Sequence, residues 1–384
     1  MMKHLIYIVI LLLACSACHN SRKQDITDIS MEKFEEANSL YLLVGTYTTG
    51  ESNGIYVYKF DTLSGFSQYI STVEVENPSY LVAAPDEKHI YSVTENDTEA
   101  AYANAFAFDK KDGKLTFLNK QQTGGLAPCY ITIDKEQKFV VTADYLGTLT
   151  VFPTDATGRL EKASQVFKFE GKGIDRERQN QPHIHTAEFS PDGDYLFATD
   201  LGTDKIYKFD VNATESSLKK GTPESFAVKG GVGPRHLAFH PNGKYAYLIT
   251  EMGGTVIGFN YKDGMLEEFQ TIVADTLHAK GSADIHISPD GRFLYASNRL
   301  QGDGIAIFSI DQSNGQLTKV AYQPTGIHPR NFVITPNGKY LLVACRDSDL
   351  IQIYSINKAT GLLEDTSKTI ELDMPVCLKF VSTE

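Results

Sequence analysis

The sequence predicts an all-β fold, a seven-bladed β-propeller of four-stranded blades in which the N- and C-terminal strands close the ring within one blade. Two observations predict it: one strand pattern returns seven times, and a hairpin pattern returns six times with a seventh copy cut short by the chain end. With 384 residues, 42% hydrophobic and 22% charged, the composition is that of a folded protein with room for a large repeat fold. A three-domain chain or an open solenoid is the alternative.

Residues 1–18 predict an export signal. Lys3 precedes an unbroken apolar run of nine residues, which is too short to cross a bilayer as a helix. Cys15 and Cys18 follow among small residues, and this resembles the signal of a bacterial lipoprotein, whose lipidated cysteine becomes the mature N-terminus. We therefore expect lipidation at Cys15 or Cys18. A plain secreted protein with incidental cysteines is the alternative.

Residues 19–40 are polar and predict a tether, and residues 41–384 form the predicted propeller. We expect an exported protein, lipid-anchored in the cell envelope on the periplasmic or outer-membrane face, that touches the membrane only through this anchor. The three cysteines of the body lie in strand-like runs and are interpreted as small core residues rather than disulfide partners. They are Cys129, Cys345 and Cys377.

The body of the chain repeats a strand of alternating apolar residues that ends on a polar turn. One copy is Gly-Ile-Tyr-Val-Tyr-Lys-Phe-Asp at 54–61. Copies return about every 50 residues, a period typical of propellers and solenoids. The seven copies begin at Gly54, Asn104, Gly147, Lys205, Thr255, Gly304 and Leu350.

A second pattern joins an approach segment, an apolar run, a Pro-Asp-Gly or Pro-Asn-Gly turn and another apolar run. Such turns are typical of hairpins because glycine readily takes positive φ. The seventh approach, at Met374, ends the chain without its partner strand, which the run at Tyr41 supplies from the other terminus. This closure removes exposed sheet edges. The six complete copies begin at Asn77, Ala127, Gln181, Gly233, Gly281 and His328.

Two sets of side chains converge on one funnel in such a propeller, because the approach segments and the ends of the second strands open on the same face. Five of the eight histidines in residues 41–384 lie in approach segments, which indicates a site there. The approach set is Ser79, Cys129, His183, His185, Arg235, His236, Asp284, His286, His328 and Arg330. The second-strand set is Tyr47, Glu95, Asp144, Asp200, Glu251, Asn298, Arg299 and Arg346.

His183 and His185 flank a single residue, so in a strand both point to one face. Three interpretations stay open for them: metal ligands, acid–base or substrate contacts, and hydrogen-bonded structural histidines. A zinc site needs a third ligand, and no spacing in the sequence identifies one. The prediction is therefore no metal and no cofactor.

Arg235 and Arg330 each follow a proline in an approach segment, and a buried arginine is costly unless it is paired. Either Glu251 and Asp284 pair with them, or they await an anionic ligand, for which arginine offers bidentate donors. The formal net charge is −12, from 36 Lys+Arg and 48 Asp+Glu, so cations gathered in one funnel favour an anionic small molecule. The same acidic balance argues against a nucleic-acid partner.

A long charged loop at 170–181 is either a lid over the funnel or a solvated loop. The many Asp-Gly and Asn-Gly pairs predict turns rather than calcium loops. His-Glu-x-x-His and Gly-x-Gly-x-x-Gly do not occur in the sequence, so zinc-protease and dinucleotide-binding functions lack support.

Five motifs follow one another along the chain, and through them the sequence resembles the lactonase family of seven-bladed propellers over essentially all of 41–384. That family contains the bacterial propeller-type 6-phosphogluconolactonases and is related to the carboxy-muconate lactonising enzymes. The resemblance implies a carboxylic ester hydrolase that opens a lactone without a metal or cofactor, in carbohydrate metabolism and the pentose phosphate pathway. The motifs are Pro-His-x-His at 182–185, Gly-Pro-Arg-His at 233–236, Tyr-x-Tyr-x-x-x-Glu at 245–251, Ala-Asp-Ile-His at 283–286 and Pro-Arg-Asn-Phe at 329–332.

Lactone hydrolysis needs a base to activate water, and a histidine or a glutamate whose pKa is raised by burial can serve. Arginines can hold an anionic group and stabilise the oxyanion. We hypothesise His185 or Glu251 as the base and Arg235 and Arg330 as anion clamps. The expected site comprises His183, His185 and Glu251 for catalysis and Arg235, His236, Asp284, His286, Arg299 and Arg330 for substrate binding.

Export conflicts with the family activity, because 6-phosphogluconolactone is a cytoplasmic intermediate, so another sugar-derived lactone stays open as the substrate. Two other functions stay open. One is a muconate-type cycloisomerase, which closes a lactone with the same kinds of residue. The other is a non-enzymatic surface propeller that binds a ligand or a protein. We expect a monomer or a weak dimer.

Overall fold

The computed structural model describes residues 38–384, which form seven four-stranded antiparallel sheets arranged as the blades of a propeller. The seven-bladed propeller predicted from the repeats is therefore confirmed. The predicted signal and the tether up to residue 37 lie outside the described residues. The first strand begins at Ser39, two residues before the predicted start of the propeller.

Blade 1 closes the ring with strands from both ends of the chain, as the sequence predicts. Its innermost strand is C-terminal and pairs antiparallel with the first strand of the chain, with Leu42 opposite Phe380. From the channel outward, blade 1 contains β28 (Pro375–Ser382), β1 (Ser39–Thr46), β2 (Gly54–Asp61) and β3 (Ser67–Glu74).

Blades 2 to 4 follow chain order from the channel outward. Each inner strand is short and is joined to the second strand by a tight turn. Blade 2 contains β4 (Leu81–Ala83), β5 (His89–Thr94), β6 (Tyr102–Asp109) and β7 (Lys114–Gln122); blade 3 contains β8 (Pro128–Ile133), β9 (Phe139–Asp144), β10 (Thr148–Pro153) and β11 (Gln165–Lys168); blade 4 contains β12 (Ile184–Phe189), β13 (Tyr195–Asp200), β14 (Lys205–Asn212) and β15 (Ser217–Ala227).

Blades 5 to 7 repeat this arrangement, with a 3₁₀ turn at Arg346–Ser348 after the second strand of blade 7. Blade 5 contains β16 (Pro234–Phe239), β17 (Tyr245–Thr250), β18 (Thr255–Lys262) and β19 (Met265–Val273); blade 6 contains β20 (Ser282–Ile287), β21 (Phe293–Asn298), β22 (Gly304–Ile310) and β23 (Leu317–Pro324); blade 7 contains β24 (Pro329–Ile334), β25 (Tyr340–Cys345), β26 (Leu350–Ile356) and β27 (Leu363–Glu371).

The core lies between the faces of neighbouring blades. The repeated strand of the sequence analysis is the third strand of each blade, and its aromatic residue is buried in every blade. Removing such a side chain from water is worth roughly 1.5–3 kcal/mol, so the seven equivalent residues make the same contribution to packing in each blade. They are Tyr58, Phe106, Phe152, Phe209, Phe259, Phe308 and Tyr354.

The Pro-Asn-Gly turns join inner and second strands as predicted. Gly243, between β16 and β17, has φ +70, and Gly338, between β24 and β25, has φ +65. A residue with a Cβ is disfavoured in this left-handed region, which explains glycine at these positions. Within residues 38–384 no helix has the length and hydropathy that a membrane span requires.

Candidate active site

One backbone hydrogen bond in each blade builds the funnel. The residue after the second strand donates its N–H to a carbonyl of the approach segment, so the two segments meet at the same level. This contact fixes the position of the side chain that follows each second strand. The seven donors are Tyr47, Glu95, Tyr145, Leu201, Glu251, Arg299 and Arg346, with acceptors Met374, Asn77, Ala127, His183, Gly233, Gly281 and His328.

A β-bulge in several inner strands turns one further side chain toward the channel. In blade 5, for example, Pro234 pairs with Thr250 and His236 with Ile249, which leaves Arg235 unpaired between them. A bulge of this kind re-aims a side chain at the rim of a sheet. The residues in equivalent bulges are Cys129, His185, Arg235 and Arg330.

Most members of these two sets meet in a cavity of about 160 Å³, which we call the funnel cavity. Every blade contributes at least one side chain to its wall, so the cavity exists only in the closed ring. Its size suits a small molecule rather than a polymer segment. The lining residues are Tyr47, Glu95, Cys129, Tyr145, His185, Glu251, Arg299 and Arg330.

Three arginines converge on the carboxylate of Glu251. Arg178 Nη2 lies 2.6 Å from Oε1, and Arg235 Nε lies 3.0 Å from Oε2. Arg299 Nη2 lies 3.3 Å from the same Oε2 atom. Burial alone would raise the pKa of Glu251, but the three guanidinium charges lower it to about 2. Glu251 is therefore ionised at neutral pH.

The expectation of Glu251 as a base with a raised pKa is corrected by this contact. A carboxylate with a pKa of about 2 is a poor proton acceptor, and both its oxygens are already bound. Glu251 instead positions three guanidinium groups through ion pairs. The sequence could not show this, because the pKa depends on which cations the fold brings to the carboxylate.

Arg235 lies behind the wall of the funnel cavity. Only 2% of its side chain is exposed, and its donors are taken by Glu251, the carbonyl of Ala283 and the ring of His236. The hypothesis that Arg235 clamps the anion is thus not supported by its position, because its guanidinium is enclosed by protein acceptors. Of the two pairings considered from the sequence, Arg235 forms the one with Glu251.

Arg330 is placed differently. Its guanidinium stacks over Tyr47 at 5.4 Å from the ring centroid, and Nη2 lies 3.8 Å from Oε2 of Glu95. Among residues 38–384 this guanidinium donates no hydrogen bond. The Arg330 side chain is 15% exposed. Burial opposes its charge, but Tyr47 and Glu95 keep the pKa of Arg330 above its ordinary value. Arg330 thus presents to the cavity a charged guanidinium whose N–H groups make no hydrogen bond within the described residues.

His185 lines the cavity, and His183 does not. The Nδ1 atom of His183 lies 2.8 Å from the carbonyl oxygen of Tyr145, and the two rings stack at 4.3 Å. His185 is buried beside Cys129, with 3.9 Å between Nδ1 and Sγ. Burial, together with the charge of Arg235, holds the pKa of His185 well below its usual value. Its imidazole is therefore neutral at physiological pH.

His236, Asp284 and His286 lie farther along the channel, beyond the funnel cavity. His236 Nδ1 lies 2.7 Å from Asp284 Oδ1, and His286 Nε2 lies 3.0 Å from Oδ2. Asn331 and the N–H of Phe332 also donate to this carboxylate, which therefore links blades 5, 6 and 7. These three predicted binding residues line a second cavity of about 270 Å³.

Arg299 is brought to the funnel cavity as expected. Besides Glu251, its guanidinium contacts the carbonyl of Gly281 at 2.7 Å and Nε2 of His328 at 3.2 Å. Burial lowers its pKa to about 9, and it remains charged at neutral pH. Burial and the neighbouring arginines lower the pKa of His328 to about 3, so its ring is neutral.

Sequence reasoning missed two contributors to the site, Tyr145 and Arg178. Glu95 belongs to the second-strand set but is not among the expected site residues, although it occupies in blade 2 the position that Glu251 occupies in blade 5. Tyr145 lines the cavity where the sequence indicated Asp144, because β9 ends one residue later than the pattern suggested. Arg178 comes from the long loop, which lies outside the repeat and carries no periodic signal.

The electrostatics of the funnel oppose those of the whole protein. Arg299 and Arg330 line the cavity, and Arg178 and Arg235 contact Glu251 in its wall. Four guanidinium groups therefore stand against two carboxylates, an excess of two positive charges in a chain with a formal charge of −12. The arrangement therefore suits a small anion. Within the described part of the chain, no group of three or more His, Cys, Asp or Glu side chains is placed to hold a metal ion. The groups counted are Arg178, Arg235, Arg299 and Arg330 against Glu95 and Glu251.

Comparison with known proteins agrees with the fold. The family model of the lactonase, seven-bladed β-propeller, matches residues 41–380. A 6-phosphogluconolactonase of Formosa agariphila is 42% identical over 334 residues, which cover 84% of this chain and 94% of that protein. The chain therefore belongs to the lactonase family of seven-bladed β-propellers. The expectation of an enzyme of the carboxylic ester hydrolase class is confirmed at this level.

Two solved structures are similar over most of the chain. A Bacteroides fragilis protein provisionally named a 6-phosphogluconolactonase is 56% identical with a TM-score of 0.89, and the match covers 91% of this chain and 99% of that one. The periplasmic gluconolactonase of Pseudomonas aeruginosa is 33% identical with a TM-score of 0.85, and the match covers 90% and 100%.

Proposed function

We propose that this protein hydrolyses a small anionic, sugar-derived lactone in the funnel cavity, with an activity like that of its relatives named 6-phosphogluconolactonase. The observation that carries the proposal is Arg330, a partly buried guanidinium that makes no hydrogen bond in the described chain and whose contacts are a 3.8 Å ion pair with Glu95 and the ring of Tyr47. Charged donors left without hydrogen bonds favour a ligand that accepts from them. The carbonyl oxygen of a lactone and an anionic substituent are both suitable acceptors.

His185 is the proposed base, since Glu251 is bound by arginines. The neutral imidazole takes a proton from water, and the water oxygen attacks the carbonyl carbon. The low pKa of His185 belongs to the cavity without a ligand, and a bound anion favours the protonated ring and raises that pKa. Binding of an anionic substrate therefore makes His185 a stronger base.

Arg330 and Arg299 are the proposed stabilisers of the oxyanion. As the carbonyl oxygen gains negative charge, donors already fixed around it lower the barrier without reorganisation. The ring C–O bond then breaks, and the proton held by His185 passes to the departing ring oxygen. The product is a hydroxy acid, which ionises at neutral pH, and the imidazole is regenerated neutral.

The test is hydrolysis of freshly generated 6-phosphoglucono-δ-lactone by the purified protein, beside unphosphorylated glucono-δ-lactone and an EDTA-treated sample. We expect faster turnover of the phosphorylated lactone and no effect of EDTA. Turnover of the neutral lactone alone would contradict the anionic substrate class. No turnover of either lactone by folded protein would contradict hydrolysis of this substrate type and favour a ligand-binding propeller.

We also propose export and lipid anchoring through Cys15 or Cys18, a prediction that falls outside the described residues. The sequence of residues 1–18 supports it, and one relative is named a periplasmic gluconolactonase. Mass spectrometry of the mature N-terminus in wild type, Cys15→Ser and Cys18→Ser identifies the modified residue. An unprocessed N-terminus at Met1 would contradict the proposal. The expected monomer or weak dimer stays a prediction, which sedimentation velocity tests.

A further inference from the structure

Arg178 reaches the funnel from the loop between β11 and β12. The loop is held in a defined shape, because the Asp175 carboxylate accepts the N–H groups of Glu177 and Arg178 at 3.1 Å each. Gln179 is wholly buried and donates from Nε2 to the carbonyl of Leu201 at 2.8 Å. The loop is thus fastened to blade 4 on one side of Arg178.

The exposure of Arg178 separates it from the other arginines of the funnel. Its side chain is 39% exposed, whereas the values for Arg235 and Arg299 are 2% and 7%. Nη2 donates to Glu251 at 2.6 Å. Burial lowers the pKa of Arg178, but the contacts with Glu251 and Tyr145 raise it by more, so the pKa lies above its ordinary value. A guanidinium carries five N–H donors, so several remain for a ligand at the mouth of the cavity.

We propose that Arg178 is a specificity-determining residue that recognises the anionic group of the substrate, a phosphate or a carboxylate remote from the lactone carbonyl. This rests on the proposed hydrolysis of an anionic lactone. His185 and Arg330 occupy the interior of the cavity, where the carbonyl reacts. Because the cavity is small, about 160 Å³, a substituent on the far side of the lactone ring extends beyond its wall. Arg178 does not line the cavity but binds Glu251 in that wall, and it is the most exposed of the three arginines on this carboxylate, so it is placed to meet such a group.

The arrangement explains why Arg178 is bound to Glu251 yet accessible. Glu251 fixes the orientation of the guanidinium before substrate arrives, so little side-chain entropy is lost when a phosphate or carboxylate binds to the remaining donors. A purely structural role, in which Arg178 only neutralises Glu251, predicts the same effect of its loss on every lactone. Recognition of the anionic group predicts an effect that depends on the charge of the substrate.

The experiment compares Arg178→Gln with Arg176→Gln, a matched variant two residues away on the same loop whose side chain is exposed. Three lactones are used: glucono-δ-lactone, 6-phosphoglucono-δ-lactone and glucaro-1,4-lactone, which carries a carboxylate. For Arg178→Gln we expect KM for the preferred anionic lactone to rise about 10- to 100-fold, the loss of one or two charge-assisted hydrogen bonds, with a far smaller rise for the neutral one. Arg176→Gln should match wild type, and Arg178→Lys should recover part of the loss.

The two anionic lactones distinguish phosphate from carboxylate as the recognised group. Equal rises in KM for neutral and anionic lactones would overturn the proposal and leave Arg178 a partner of Glu251 only. Absence of turnover in wild type would instead contradict the proposed function. In that case calorimetry with 6-phosphogluconate and with glucarate still tests Arg178, and equal Kd values in Arg178→Gln and Arg176→Gln for both would overturn the proposal.

Discussion

The Nε atom of Arg235 donates to Oε2 of Glu251 at 3.0 Å, in a pair whose side chains are only 2% and 9% exposed. This pair is the most buried part of a cluster in which the Glu251 carboxylate forms ion pairs with three guanidinium groups. Removing the carboxylate would leave those charges facing one another without compensation. Glu251 therefore supports both the stability of the ring and the shape of the cavity.

Replacement of Glu251 by Gln should lower the free energy of unfolding by roughly 3–5 kcal/mol at pH 7, the usual cost of removing one member of a buried ion pair. The folded pKa of about 2 lies below the ordinary 4.5, so this stabilisation is present above about pH 4.5 and is lost as pH falls toward 2. Urea unfolding at several pH values measures it. A variant as stable as wild type, with a lost acidic limb in its pH–rate profile, would restore Glu251 as a base.

Replacement of Arg330 by Gln should reduce kcat about 10²- to 10³-fold, the usual effect of losing a donor to the oxyanion. Its free energy of unfolding should change by less than about 1 kcal/mol, because this guanidinium makes no hydrogen bond within the described chain. Steady-state kinetics and urea unfolding are compared with Arg292→Gln, an exposed control. Unfolding as easy as that of Glu251→Gln would show that Arg330 is structural.

Replacement of His185 by Asn should lower kcat about 10²- to 10⁴-fold, the contribution of a positioned base. The pKa of His185 is held well below 6.5, so wild-type kcat/KM should stay flat from neutral pH into the mildly acidic range and fall only at lower pH. His183→Asn should cost much less activity, since His183 contacts Tyr145 outside the cavity wall. Equal losses in both variants would show that packing around Tyr145, not proton transfer, is being measured.

Replacement of Asp144 by Asn should change how stability depends on pH. Asp144 is fully buried, Oδ1 has no hydrogen-bond partner within residues 38–384, and burial raises its pKa from 3.8 to about 7. In wild type its contribution is therefore fully present below about pH 3.8 and is lost as pH rises through 7. Thermal unfolding at pH 5 and pH 8 should show a smaller difference in Asp144→Asn than in wild type. An unchanged difference would mean that Asp144 does not titrate in this range.

The fold could be predicted because its information is local and repeated. The aromatic residue of each third strand, such as Phe106 or Phe308, is buried for the same reason in each blade, so one correct interpretation carries to all seven. The sequence also has one approach segment without a partner strand, at Met374, and one strand without an approach segment, at Tyr41. Pairing these two closes the ring, and β28 and β1 do pair in the structure.

The site could be predicted only in part, because its geometry depends on single-residue register and on contacts between distant segments. Asp144 and Tyr145 differ by one position, yet one is sealed in the blade and the other lines the cavity. Arg235 has the residue type and position expected of an anion clamp, but its donors are consumed by partners up to 48 residues away. Arg178 belongs to a loop whose path no periodic pattern describes.

The closure of blade 1 has a consequence for biogenesis. Pro375–Ser382 forms the innermost strand beside Ser39–Thr46, so the contact with the longest sequence separation in the ring is also the one that completes it. Pairing of such distant segments raises contact order and slows folding. The nascent chain therefore cannot finish its ring until β28 has been synthesised, and until then it carries open strands prone to misassembly. Once formed, the ring is closed around the channel, and we expect its persistence to depend on the rate at which β28 detaches from β1.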